Sequence, residues 1–136
     1  MDHPYFIAIL RLSGNERSSV HEYAIYYVNN SDRDLNHFTI DSGAFFTADD
    51  DPVTMSSSHK NFDTLGARSS RLIEYEGFGL EESIIQYQIR FQLEGEIVNQ
   101  TFTLGKGLSG GVKPFSKLPV INQFGYLFKP DKVPKA

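Results

Sequence analysis

The sequence predicts an all-β fold, closed as an antiparallel two-sheet sandwich of about seven or eight strands. Three observations predict it. Period-2 alternation runs unbroken from Ile84 to Leu93. Turn residues separate successive runs rich in aromatic and β-branched side chains. Helical periodicity is almost absent, with Leu80-Glu81-Glu82-Ser83 offering one helical turn at most.

The elements follow in chain order. Tyr5 to Leu12 is an apolar run that ends at Ser13-Gly14-Asn15, and Glu22 to Asn29 answers it as the second arm of a hairpin. Asn29-Asn30-Ser31-Asp32 reads as a turn. Leu35 to Ser42 is a third strand, and Phe45-Phe46 starts or extends another. Ala48 to Ser69, with Asp49-Asp50-Asp51-Pro52 and Ser56-Ser57-Ser58, reads as a long loop, and Arg71 to Tyr75 as a further strand. In Ile84 to Leu93, Ile85, Tyr87, Ile89, Phe91 and Leu93 are assigned to the core and Gln86, Gln88, Arg90 and Gln92 to solvent. Glu94-Gly95 then turns the chain into Glu96 to Leu104. A second long loop covers Gly105 to Pro119, and Val120 to Phe128 is the last strand. Sequential hairpins imply antiparallel pairing, and an immunoglobulin-like sandwich is the expected closure. Residues 1–128 are assigned to this one domain and 129–136 to a lysine- and proline-bearing tail.

Composition limits the function classes. Cysteine is absent, so disulfides, thiolate metal sites and cysteine nucleophiles are excluded. No basic n-region or apolar h-region opens the chain, and a cytoplasmic location is expected. Asn29-Asn30-Ser31 and Asn99-Gln100-Thr101 match the glycosylation pattern, but without an export signal they read as ordinary polar residues. The net charge of −4 divides unevenly. Residues 1–104 hold 7 basic and 16 acidic side chains, and residues 105–136 hold 6 lysines and one acid. The acidic body argues against a broad nucleic-acid surface, which needs clustered Lys and Arg.

No catalytic motif finds its context. Gly107-Leu108-Ser109-Gly110-Gly111 matches G-x-S-x-G, but Pro114 opposes an immediate helix and all four histidines (His3, His21, His37, His59) precede Ser109. Gly105-Lys106-Gly107 lacks the spacing of a phosphate loop. Asp49-Asp50-Asp51 lacks the ligand pattern of a calcium loop, and the histidine spacings of 18, 16 and 22 residues supply no local metal pair. The expectation is a non-enzymatic interaction module with no cofactor and no bound metal. Tyr23, Tyr26 and Tyr27 are its candidate interaction residues, because Tyr23 and Tyr27 share one face of a strand and Tyr26 takes the other. The first hairpin carries no lysine, since none occurs before Lys60, and is the expected edge for a protein partner or a weak homodimer.

Phe6-x-Ala8-x-Leu10, followed by Tyr23-x-Ile25-Tyr26-Tyr27-Val28-Asn29-Asn30-Ser31, resembles a bacterial β-sandwich family, lantern-like in shape. That family occurs in proteins carrying a small MutS-related (Smr) domain. Gly66, Gln88 and Lys117-Leu118 are further points of similarity, and the resemblance spans about residues 5–125. It implies a sandwich fold and, as an alternative to protein binding, a nucleic-acid-associated accessory role. The sequence ends at Ala136 with no Smr domain, so the resemblance transfers no nuclease or repair activity. The tail is expected to be the stub of a linker.

Overall fold

Among the described residues, nine strands form two antiparallel sheets: β1 (Tyr5–Arg11), β2 (Tyr23–Asn29), β3 (Leu35–Ala48), β4 (Asp51–Leu65), β5 (Ser69–Glu76), β6 (Ile84–Leu93), β7 (Glu96–Leu104), β8 (Lys113–Lys117) and β9 (Phe124–Phe128). The computed structural model describes residues 4–11, 23–48, 51–76, 84–104 and 113–131. One sheet has the order β5-β2-β1-β9-β8 and the other β4-β3-β6-β7. The neighbours β1-β2-β5 and β3-β6-β7 reproduce the A-B-E and C-F-G pairings of immunoglobulin sandwiches. The departures are β4, which pairs with β3, and β8 and β9, which widen the first sheet beside β1.

The core lies between the sheets because each contributes one apolar parity. Ile7, Ile9, Tyr23, Ile25 and Tyr27 from one sheet meet Phe38, Ile40, Ile85, Tyr87, Ile89, Phe91 and Phe102 from the other. The alternation of β6 holds as read: Ile85, Tyr87, Ile89 and Phe91 are buried, Leu93 packs at the core margin, and Gln88 and Arg90 are exposed. At the β6–β7 turn, Glu94 and Gly95 take φ of 53° and 84°, the left-handed values of a two-residue hairpin.

Two regions read as loops are strands. β4 pairs with β3 from Leu35↔Leu65 to Ala48↔Asp51, with one bulge at Ala44/Phe45. Its serines and aspartates suit an edge strand, and Phe62 and Leu65 pack against the main core. Lys113–Lys117 likewise pairs with β9. The last strand starts at Phe124 rather than Val120, because Leu118 to Gln123 forms a turn closed by Leu118 N–H to the Gln123 carbonyl at 2.9 Å.

That turn gives the first sheet a second, smaller core on its outer side. Leu118 packs with Phe6, Ala8, Leu10, Val28 and Leu127, and Tyr26, Val120 and Ile121 border the cluster. Close approach here requires Gly125, where a Cβ would sit 2.6 Å from both the Ile9 carbonyl oxygen and Leu10 Cδ2.

The first hairpin is therefore not an edge. β1 lies between β2 and β9, and β2 lies between β1 and β5. Its lack of lysine reflects burial on both faces. The pattern of β2, buried at every position except half-buried Tyr26, has the same cause.

At the corner after β2, Asn29 is fully buried and acts as a bracket. Its Nδ2 donates to the carbonyls of Arg33 at 2.8 Å and Gly66 at 2.9 Å, and its Oδ1 accepts from Ser31 N–H and Ser31 Oγ. An amide so engaged is unavailable to a glycan. No helix among the described residues is long and apolar enough to cross a membrane.

Candidate functional site

The outer faces of the two sheets differ. The 118–123 turn covers the outer face of the first sheet over β1, β2 and β9, while Tyr75 on β5 stays 48% exposed. On the second sheet, strand register builds an open polar plane in rows. His59, Asp41, Gln88 and Thr101 form one row across β4, β3, β6 and β7; Asn61, Thr39, Arg90 and Asn99 form the next. Ile97 opposes Gln92 beyond them, half-exposed at 51%. The period-2 alternation that fills the core places these residues outward.

Within the plane are two shallow depressions. One, of about 390 Å³, is lined by Asp41, Gln88, Arg90, Asn99 and Thr101 among others. The other, of about 350 Å³, is lined by His37, Thr39, His59, Arg90, Gln92 and Ile97 among others. Asp41 and Arg90 border both. Asp41 Oδ1 is paired with His59 Nδ1, both side chains being more than half exposed. The plane is rich in amides and hydroxyls and holds both signs of charge, a chemistry suited to hydrogen bonding with another polar surface.

The edge of this plane is fastened at one point. After β9, the chain crosses to β7, where Asp131 N–H donates to the Thr101 carbonyl at 2.7 Å. Thr103 donates to the Asp131 carboxylate twice, from N–H at 3.1 Å and from Oγ1 at 2.6 Å. Asp131, read from sequence as part of the tail, is thus docked on the sandwich.

The tyrosines expected as interaction residues lie elsewhere. Tyr23 and Tyr27 point into the main core and are 1% and 0% exposed. Tyr26 is half-buried at the border of the second core. The phenol of Tyr27 is pushed up by burial first and by neighbouring Tyr5 second. The correct parity of β2 was legible; that both parities are covered was not, because the covering turn is about ninety residues downstream. Sequence reading missed Asp41, His59 and Asn61 as parts of one plane, since they depend on β4 being a strand.

Ser109 and its glycines, Asp49 and Asp50, and His3 and His21 fall outside the described residues. Among the described residues, no group of three or more His, Asp or Glu is arranged to hold a metal ion. No protein-family model, curated protein or solved structure matches the chain. The functional reading therefore rests on the surface itself.

Proposed function

We propose that this domain is a non-enzymatic protein-interaction module that receives its partner on the outer plane of β4-β3-β6-β7. One observation carries the reading: the chain covers the middle of one sheet's outer face with its own turn, whereas Asp41, Gln88, Arg90 and Asn99 across the middle of the other stay exposed. The bare plane combines amides, one Arg, one Asp and a half-exposed isoleucine, the mixture of polar and apolar groups that protein interfaces use. A photo-crosslinker at Gln88, compared with one at Tyr75 on the first sheet, tests it in cell extract. A discrete adduct specific to Gln88 and suppressed by Arg90→Glu is the expected result. Equal labelling from both positions, or none from Gln88, overturns the reading.

A nucleic-acid-associated role is the second reading. It is favoured by Lys113 and Lys117 on β8 and Lys129 just after β9, which set basic residues on one pair of strands away from the polar plane. DNA binding that weakens steeply with salt and is lost on replacing these lysines would support it; binding that is absent at low salt would eliminate it.

A further inference from the structure

We propose that the outer edge of β7 pairs with the same edge of a second copy, about a two-fold axis at Val98. The inference deepens the interaction reading by naming one partner, yet it concerns the sheet edge rather than the plane.

Among the described residues, four strands end the two sheets: β4, β7, β5 and β8. Proteins guard such edges with charges and prolines. β4 contains Pro52, Lys60 and Asp63; β5 contains Arg71 and Glu74; β8 contains Lys113, Pro114 and Lys117. In addition, Lys60 Nζ donates to the Ile73 carbonyl and closes the β4–β5 side. β7 has Glu96 at its first position and then neither charge nor proline from Ile97 to Leu104.

The clasp by Asp131 shows which backbone groups face outward. Thr101 C=O and Thr103 N–H point away from β6, toward Asp131. Hydrogen-bonding direction alternates along a strand, and β6–β7 runs without a bulge, so Ile97 and Asn99 also point their N–H and C=O outward. These four groups are symmetric about Val98. In a two-fold antiparallel pairing, Ile97 of each copy exchanges both bonds with Asn99 of the other, and all four are satisfied.

The same register is compatible in charge and packing. Glu96 falls opposite neutral Gln100, and Glu94, which approaches Asp131 of the other copy, is already held in an ion pair by Arg33 at 2.8 Å. The two half-exposed Ile97 side chains become diagonal neighbours on the outer face, within reach of each other. Beyond Asn99, the Glu94-Gly95 turn of one copy meets the Asp131 clasp of the other, which ends the ladder after these bonds. The product is one continuous eight-stranded sheet carrying two polar planes side by side.

Sedimentation of the intact protein over a wide concentration range tests the pairing. Ile97→Lys places two lysines side by side at the seam, and Asn99→Pro removes an outward N–H without touching the β6 ladder. Asp63→Lys, on the β4 edge, is the control. The expected result is a concentration-dependent dimer that persists in high salt, is unaffected by Asp63→Lys, and is weakened roughly tenfold or more by either β7 substitution. A monomer at all concentrations, or a dimer that folded Ile97→Lys leaves intact, overturns the proposal. Should Asn99→Pro fail to fold, Ile97→Lys decides alone, because that side chain is half in water. Crosslinking from Gln88 to a different protein is scored separately, so the plane and the edge stand or fall independently.

Discussion

Tyr27 of β2 donates its hydroxyl to Gln100 Oε1 of β7 at 2.8 Å, joining a central strand of one sheet to the edge strand of the other across the core. The Tyr27 ring is fully buried, 4.9 Å from Phe38 and edge-on to Phe102 at 6.0 Å. Tyr27→Phe keeps those ring contacts and orphans a half-buried amide oxygen. The expected cost is about 1–2 kcal/mol in urea unfolding. Gln100→Ala should cost less in the Tyr27→Phe background than in wild type, with a coupling of about 0.5 kcal/mol or more. Strict additivity would show that the bond contributes nothing to the joining of the sheets.

The same phenol sets an alkaline limit. Its acidity is lowered in the folded state by burial, so the native protein holds the Tyr27 proton above pH values at which the unfolded chain releases it. The stability tied to that proton is complete below the ordinary tyrosine value of about 10 and falls as pH rises from there toward the raised native value. Tyr27→Phe should lose less stability than wild type between neutral pH and the alkaline range. Identical slopes for the two proteins would remove Tyr27 as the cause.

Two buried positions should dominate a mutational scan, for different reasons. Phe91 is fully buried and 5.5 Å from Tyr5, so Phe91→Ala opens a cavity worth about 3–5 kcal/mol. Asn29 satisfies carbonyls of Arg33 and Gly66 in the corner after β2. Asn29→Ala strands those acceptors at a cost of about 2–3 kcal/mol. Asn29→Asp should be at least as damaging despite its similar size, because a carboxylate there faces carbonyl oxygens. A near-wild-type melting temperature for Asn29→Asp would disprove the bracket role.

Legibility in the sequence tracked how far each signal acts along the chain. The β6–β7 hairpin was readable because alternation and the Glu94-Gly95 turn are both local. β4 was not, since polar Ser56 to His59 becomes a strand only through pairing with β3. The three tyrosines were placed on the correct strand with the correct parity, yet Tyr23 and Tyr27 proved to be core. Lysine-free β1 and β2 suggest an undefended edge, although the same lack of lysine also marks strands covered on both faces. The unguarded edge is β7, and identifying it needed the order of strands in the sheet.

Asp131 makes the last prediction, which concerns local opening rather than global stability. It is exposed, and its bonds to Thr101 and Thr103 close only a short stretch of the β7 edge. Asp131→Ala should therefore cost about 1 kcal/mol or less in global unfolding. Amide exchange should respond far more at one site. Thr103 N–H, held by the carboxylate in the wild type, should exchange on the order of tenfold faster in Asp131→Ala, while the Phe102 amide, directed at β6, stays protected. Ile97 and Asn99 amides report the adjoining open stretch, with fast exchange in dilute protein and slower exchange as concentration rises if the two-fold pairing forms. Unchanged Thr103 exchange in Asp131→Ala would mean that the segment after β9 does not clasp the edge in solution, and the end-stop of the proposed ladder would go with it.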